Sequence, residues 1–201
     1  MPYHYRIVIL VALLAVVAAL DLALNRSRAT RWREYALLLA GGLAGAAFGA
    51  LNDVFITSAI SPEYFVIGKG LPPDERLPAE VLWLGVQAGF GPGALAMGVY
   101  LYVNTRRPDR RPLLPHARLV RFAWMPLAGA VAFGAAFPLL FSSRDPIGFA
   151  GALSESLNPR QIWRFLVVWW THLGIYTGFT AGLIAGATAI HRRRARHTPA
   201  P

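Results

Sequence analysis

The sequence contains no cysteine and only one lysine, Lys69, among its 201 residues. The absence of cysteine excludes disulfides, thiolate metal sites and cysteine nucleophiles, so any metal would have to be bound by His, Asp or Glu. Charge is also scarce, because 15% of the residues are charged whereas about 25% is usual for a soluble domain. These shortages argue against an ordinary soluble domain, and the apolar content excludes a disordered chain.

Long apolar blocks make up most of the chain, which is 55% hydrophobic with a mean hydropathy of +0.43. A helix needs roughly 20 apolar residues to cross a hydrocarbon core of about 30 Å, and five blocks are long enough. We therefore predict an all-α fold, an integral membrane helical bundle with about five transmembrane helices. The predicted single membrane domain (1–201) has spans at 6–24, 35–57, 79–103, 119–141 and 161–190 and a basic flexible tail at 192–201.

The basic residues are concentrated in alternate connections between the predicted spans. Fourteen of the twenty Lys and Arg residues fall in the first connection, the third connection and the C-terminal tail. Because retained positive charge marks the cytoplasmic side, the N-terminus is predicted outside and the C-terminus inside. The net charge of +10 is thus interpreted as a topology determinant, with the lipid bilayer as partner and no nucleic acid. A run such as Arg192–Arg194 has an alternative interpretation as a patch for anionic lipid.

Small residues recur at four-residue spacing in the last four predicted spans. Since helices in lipid associate through close packing, this spacing predicts a tight bundle of spans two to five, with the first span peripheral. The same ladders could instead join copies of the chain in a homo-oligomer or attach it to a larger membrane complex. The ladders are Gly41/Gly45/Gly49, Gly85/Gly89/Gly93, Ala128/Ala132/Ala136 and Gly174/Gly178/Gly182/Gly186.

Asp53 extends the ladder of the second span by one further step of four residues. It is therefore predicted to face the bundle, where an ionisable side chain inside a membrane span is a functional candidate by default. The alternative is that Asp53 lies at the interface and only hydrates the end of the helix.

Glu63 lies at the predicted start of a short helix beyond this span. The sequence Ser61-Pro62-Glu63 is typical of a helix N-terminus, because serine is a good N-cap, proline suits the first turn and an acid complements the helix dipole. Tyr64 and Phe65 are typical of the membrane interface and would hold Glu63 close to the outer surface. Glu63 is thus either a helix-start residue or a functional carboxylate.

The last span carries a polar stripe. Arg164, His172 and Tyr176 are separated by multiples of four residues and so share one helical face. His172 is the only histidine inside a predicted span, and a buried imidazole can be a metal ligand, a proton carrier or a hydrogen-bonded packing residue. Its predicted partners are Asp53 and Glu63 together with two lesser candidates, Gln87 and Thr57.

Three short motifs carry a resemblance: Asn52-Asp53-x-x-x-Thr57, the stretch Ile60-Ser61-Pro62-Glu63-Tyr64-Phe65, and His172-x-x-x-Tyr176. They resemble an uncharacterised family of small bacterial polytopic inner-membrane proteins in which these Asp, Thr, Glu-Tyr-Phe, His and Tyr residues recur. The resemblance implies a multi-pass protein of the bacterial inner (cytoplasmic) membrane and lends no activity. Members of the family often have His at the position of Asn52, so this chain has one potential metal ligand fewer.

Two hypotheses of different class follow, and the first is a functional polar site in the outer half of the bundle. Two carboxylates and an imidazole suit a first-row divalent metal such as Fe, Mn or Zn, or a proton relay. A quinone or a lipid head group entering laterally would also fit. No Gly-x-Ser-x-Gly, His-Glu-x-x-His or phosphate-binding motif is present, so the reaction stays open. The candidates are Asp53, Glu63, His172 and Tyr176 as catalytic groups, Asp53, Glu63 and His172 as metal ligands, and Arg164, Gln87 and Thr57 as cofactor-binding residues.

The second hypothesis is a non-catalytic accessory or structural subunit of a larger membrane complex, with the polar stripe as structural glue. Small size, five spans and the aromatics Trp163, Trp169 and Trp170, which are predicted to be exposed, are compatible with this alternative. A transporter is a third alternative, supported only by the predicted helix break at Gly91-Pro92-Gly93. The site hypothesis requires the carboxylates of Asp53 and Glu63 to lie within about 5 Å of the His172 ring, close enough for charge coupling.

Overall fold

The computed structural model describes residues 3–26, 31–105, 113–145 and 148–196. Within these ranges the regular structure is entirely helical, with no strand, and the predicted all-α class is confirmed. The helices are α1 (Tyr3–Asn25), α2 (Arg31–Leu51), a π-helical segment (Asn52–Thr57), α3 (Ser58–Ile60), α4 (Pro62–Lys69), α5 (Leu77–Val103), α6 (His116–Val120), α7 (Trp124–Phe141), α8 (Phe149–Leu153) and α9 (Pro159–Arg196).

Four helical stretches in the described residues are long and apolar enough to cross a membrane, which makes the chain a multi-pass membrane protein. They correspond to predicted spans two to five and are Arg31–Ile60, Leu77–Val103, His116–Phe141 and Pro159–Arg196. The predicted first span coincides with α1, whose apolar stretch Val11–Asn25 is shorter than the other four. The first predicted span, the total of five spans and the orientation of the termini therefore stay predictions.

Two details of the predicted spans change in the structure. Helix α5 runs without interruption through Pro92, so the predicted break at Gly91-Pro92-Gly93 does not occur. Proline is tolerated within membrane helices because neighbouring groups satisfy the backbone partners that it frees. Helix α9 continues to Arg196, so the first part of the predicted tail is helical and the rest, 197–201, lies outside the described residues.

The chain divides into two compact units, and the first comprises 1–49, 86–123 and 186–201. Within it α2 packs against α5 at the predicted glycines. A Cβ added at Gly45 would overlap the carbonyl oxygen of Gly89, and one added at Gly93 would overlap that of Gly41. Only glycine permits this approach of the two backbones, since any side chain would force the helices apart.

The second unit comprises 50–85 and 124–185, and in it α7 packs against α9. A Cβ at Gly178 would overlap the carbonyl oxygen of Gly129, and one at Gly174 would overlap that of Phe133. The alanine ladder predicted for α7 is wrong, because Ala128 and Ala132 are exposed. Glycine at position 129 allows a closer helix crossing than alanine would. The face of α7 that contacts α9 therefore contains Gly129, one residue after the predicted Ala128.

The aromatic residues of α9 do not form one exposed surface. Trp163 is exposed, but Trp170 is buried against Phe137 and Phe141, and its indole N–H donates to the carbonyl oxygen of Arg144 at 3.2 Å. Trp170 therefore belongs to the interior of this unit and no longer favours an accessory role.

The packing of α9 on α7 determines which way His172 points. Successive residues of an α-helix are about 100° apart, so position 172 lies on the opposite side of α9 from Gly174. With Gly174 against α7, His172 faces the end of the second span and α4. The hydrophobic core on that side consists of Tyr64, Phe65, Val81, Leu153, Leu157, Phe165 and Val168.

Candidate functional site

The second span ends in a π-helical segment that carries the site carboxylate. The N–H of Ser58 donates to the carbonyl oxygen of Asp53, five residues earlier, which marks the wider π turn. In this segment Asn52, Asp53 and Thr57 are all buried. The segment thus turns two adjacent polar side chains and the Thr57 hydroxyl inward together, and such π-bulges are frequent at functional sites.

Asp53 and His172 form a direct pair within the second unit. The Oδ1 atom of Asp53 lies 3.1 Å from Nε2 of His172. The side chains are 6% and 14% exposed, respectively. Asp53 therefore lies within the distance of about 5 Å from the His172 ring that the site hypothesis requires. The alternative in which Asp53 only hydrates a helix end is wrong.

The second ring nitrogen of His172 determines the protonation pattern of the pair. Its Nδ1 lies 2.9 Å from the carbonyl oxygen of Val168. A carbonyl oxygen can only accept, so Nδ1 carries a proton. One further proton is then shared between Nε2 and Oδ1, either as imidazolium and carboxylate or as neutral imidazole and carboxylic acid.

Two further polar side chains approach the Asp53 carboxyl group. The side-chain amide of Asn52 donates to Asp53 Oδ1 at 2.9 Å. The Thr57 hydroxyl is 3.4 Å from the same oxygen and a comparable distance from the carbonyl oxygens of Asn52 and Asp53. Asn52 and Thr57 thus hold the Asp53 carboxyl group in place beside His172.

Aromatic rings enclose the imidazole of His172. The ring of Tyr64 stacks on it with centroids 4.9 Å apart and planes 14° from parallel, and Phe65 meets it edge-on at 6.4 Å. The ring of Tyr64 also contacts that of Phe165, which belongs to the hydrophobic core. Burial raises the pKa of Tyr64, and the neighbouring Tyr176 and Asp53 act in the same direction, so its hydroxyl stays protonated beside the pair.

Glu63 belongs to a separate hydrogen-bond group. Its Oε2 accepts from the Ser61 hydroxyl at 2.9 Å and its Oε1 from the Gln161 amide at 3.0 Å. Gln161 precedes His172 by eleven residues, about 16 Å along a helix axis. Asp53 and Glu63 share no hydrogen-bond partner, so the predicted trio is divided into a pair and a separate carboxylate.

The local sequence explains where Glu63 lies. Ser61 is the N-cap of α4 and Pro62 its first residue, as predicted, but the Ser61 hydroxyl bonds Glu63 and not a backbone amide. Partial burial acts to raise the pKa of Glu63, but the hydrogen bonds from its own backbone, Ser61 and Gln161 outweigh it. The positive charge of Arg164 adds to them, and the pKa is lowered below its ordinary value.

The ligand set for a metal is not assembled in the described residues. No group of three His, Cys, Asp or Glu side chains in these ranges is placed to hold a metal ion. Asp53 and His172 supply two ligand atoms, and each is already hydrogen-bonded to the other.

The remaining predicted residues lie at the margin of the pair or away from it. Thr57 is fully buried beside Asp53. Tyr176 lies close enough to act electrostatically on Tyr64 but is 49% exposed. Arg164 is exposed and acts on Glu63 through its charge, and Gln87 lies on the part of α5 that belongs to the first unit.

Sequence reasoning missed the role of Gln161. Asn158 Oδ1 accepts from the N–H of Gln161, and Gln161 Oε1 accepts from the N–H of Asn158, both at 3.1 Å. This reciprocal arrangement is a capping box, which the pattern Asn-x-x-Gln at the start of a helix indicates. The capping box orients the Gln161 amide, whose N–H then donates to Glu63.

Asn52 and the stacked ring of Tyr64 were also missed as parts of the site. No simple sequence signal marks the π turn that directs Asn52 inward. Comparisons with protein-family models, with curated proteins and with solved structures find no match to this chain.

Proposed function

We propose that this chain is a proton-binding integral membrane protein in which the Asp53–His172 pair takes up and releases a proton inside the second unit. The observation that carries the proposal is the 3.1 Å contact between Oδ1 and Nε2 with Nδ1 bonded to a carbonyl oxygen. That geometry supports one proton between the two groups. With that proton the pair carries no net charge in either arrangement. Burial in a membrane span favours a site without net charge.

Loss or gain of a proton changes the contact from attractive to repulsive. Without the shared proton, the carboxylate of Asp53 faces the lone pair of His172 Nε2. With a second proton, two N–H and O–H donors face each other. Each change leaves one net charge in a weakly polar site, so protonation is coupled to the packing of the second span against α9.

The proposed setting extends the resemblance described above. We place the chain in the bacterial inner membrane, with the N-terminus outside and the pair in the outer half of the bilayer. Helix α9 begins at Pro159 and has 38 residues, and a rise of about 1.5 Å per residue puts His172 about 20 Å along it, within its first half. A metal-dependent reaction has less support, because Glu63 is bonded elsewhere.

The test is a pH titration followed by nitrogen NMR of the purified protein labelled at histidine, with His172→Gln to assign the signal. We expect Nδ1 of His172 to stay protonated while Nε2 gains or loses its proton within the range in which the protein is folded. Asp53→Asn should move that transition. Glu63→Gln, which changes a partly buried carboxylate with a separate set of hydrogen bonds, should leave the transition in place.

A signal that shows the proton on Nε2 and none on Nδ1 would contradict the proposed proton arrangement. A His172 signal that does not change with pH would leave the pair a static hydrogen bond. That second result would favour the accessory-subunit hypothesis, in which the polar stripe only holds helices together.

A further inference from the structure

Exposed arginines collect at one end of the first unit. They lie at the start of α2, around α6 and at the end of α9. We call them the arginine surface: Arg31, Arg33, Arg118, Arg121, Arg192, Arg193 and Arg196. The antiparallel contacts of α2 with α5 bring the start of α2 to the end of α5, and the end of α9 is attached to the same end of α5.

The attachment of α9 is made by a buried arginine. Arg194 is 2% exposed, and its Nη1 donates to the carbonyl oxygen of Val103, the last residue of α5, at 2.6 Å. The end of α9 is therefore held against α5, and the directions of the neighbouring arginines follow from that anchor.

Arg193 makes a cation–π contact with a buried aromatic ring. Its guanidinium carbon lies 5.5 Å from the ring centroid of Phe122. Phe122 is buried, contacts the ring of Tyr100 edge-on and accepts a 3.3 Å hydrogen bond from the Tyr100 hydroxyl. Arg121 directly precedes Phe122 in the chain and is exposed, so the arginine that follows α6 and one of α9 both belong to the neighbourhood of Phe122.

Among the residues that the structure describes, acidic side chains are few at this end of the first unit. The acidic residues that the structure describes in the first unit are Asp21 and Glu34. Asp21 is buried and accepts from the Asn25 amide and the N–H of Arg31. Glu34 is partly buried and lines a cavity of about 430 Å³ with Asn104 and His116. The net charge of the described side chains at this end is accordingly positive.

We propose that the arginine surface binds the phosphate-bearing head groups of anionic membrane lipids, with Arg121 and Arg193 at its centre. Guanidinium groups match phosphate oxygens in paired hydrogen bonds. The apolar part of α9 ends at the buried Ile190, two residues before the first of these arginines, so they lie where a lipid phosphate would meet the helix. Each such basic residue strengthens attraction to an anionic leaflet about fivefold.

The test is competition between phosphatidylglycerol and phosphatidylcholine for the full-length protein in micelles, with bound lipid counted by native mass spectrometry. The wild type should prefer phosphatidylglycerol, and this preference should fall about twenty-fivefold in Arg121→Gln, Arg193→Gln. The control, Arg76→Gln, Arg160→Gln, removes the same charge from exposed residues of the second unit and should keep the preference. Equal preference in the two double variants would overturn the proposal.

Two further measurements do not depend on the folding of any variant. Added salt should weaken the wild-type preference for phosphatidylglycerol, because exposed charges are screened, and a preference independent of salt would contradict the proposal. Soluble glycerol phosphate should compete poorly. Full displacement by glycerol phosphate would identify a free-phosphate site, and equally tight binding of single-stranded DNA would identify a nucleic-acid surface; either result would overturn the lipid assignment.

Discussion

The energetic coupling between Asp53 and His172 is the quantity on which the candidate site depends. A double-mutant cycle with Asp53→Asn, His172→Gln and the combined variant measures it. Each substitution keeps a polar side chain of similar size and removes one ionisable group, so cavities contribute little. The coupling energy is the difference between the summed destabilisation of the two single variants and the destabilisation of the double variant.

The structure sets the expected magnitude. Opposite charges at the observed 3.1 Å separation attract by about 5 kcal/mol at an effective dielectric constant of about 20. Both groups lose hydration when they are buried, which offsets much of that attraction. A charge-assisted hydrogen bond contributes about 1.5–3 kcal/mol net, so we expect a coupling of about 2 kcal/mol.

The assay is unfolding by sodium dodecyl sulfate in mixed micelles, followed by the loss of helical circular dichroism. The matched control is the cycle that combines Glu63→Gln with His172→Gln, since these side chains have no hydrogen-bond partner in common. Its coupling should stay below about 0.5 kcal/mol. A coupling near zero for Asp53 and His172, or one as large in the control cycle, would refute the interpretation of the pair.

Three further predictions concern packing, pH and a connection. Gly89→Ala should cost about 1–3 kcal/mol of unfolding free energy because its Cβ would overlap a backbone carbonyl; Gly91→Ala, with open space, should not destabilise, and equal effects would contradict the packing. The lowered pKa of Glu63 stabilises the fold above the ordinary glutamate pKa; this contribution should disappear as pH falls through the folded pKa, and should be missing from pH-dependent unfolding of Glu63→Gln. Asn104→Ala should cost about 1–3 kcal/mol in the same unfolding assay, because two 2.9 Å bonds to a buried backbone are lost; an unchanged midpoint would count against those bonds.

Several features of the fold were predictable because they depend on local pattern. The lengths of the apolar blocks determine where helices cross the bilayer, and the structure has four of them close to the predicted bounds. Glycine at four-residue spacing predicted close helix packing, and the structure has it between α2 and α5, where the absence of a Cβ lets the backbones approach. The same rule failed for the alanines of α7, because a four-residue pattern does not say which of two small-residue faces a neighbour will choose.

The candidate site was predictable in part. The sequence by itself determined that Asp53 and His172 lie on inward faces of two long apolar helices, because exposure of such groups to lipid is costly. It also determined the helix start at Ser61-Pro62 and the arginine-rich segments. These conclusions need only periodicity and residue chemistry.

Only the tertiary structure decided which of these groups meet. The π turn rotates Asn52 and Asp53 inward together, the packing of Gly174 on α7 points His172 the other way, and the Gln161 capping box draws Glu63 to the start of α9. Each outcome depends on the angle and depth of one helix against another. A shift of one helix by a single residue against the other would break the 3.1 Å contact between Asp53 and His172. The spacing of residues along the sequence does not specify how two helices are aligned.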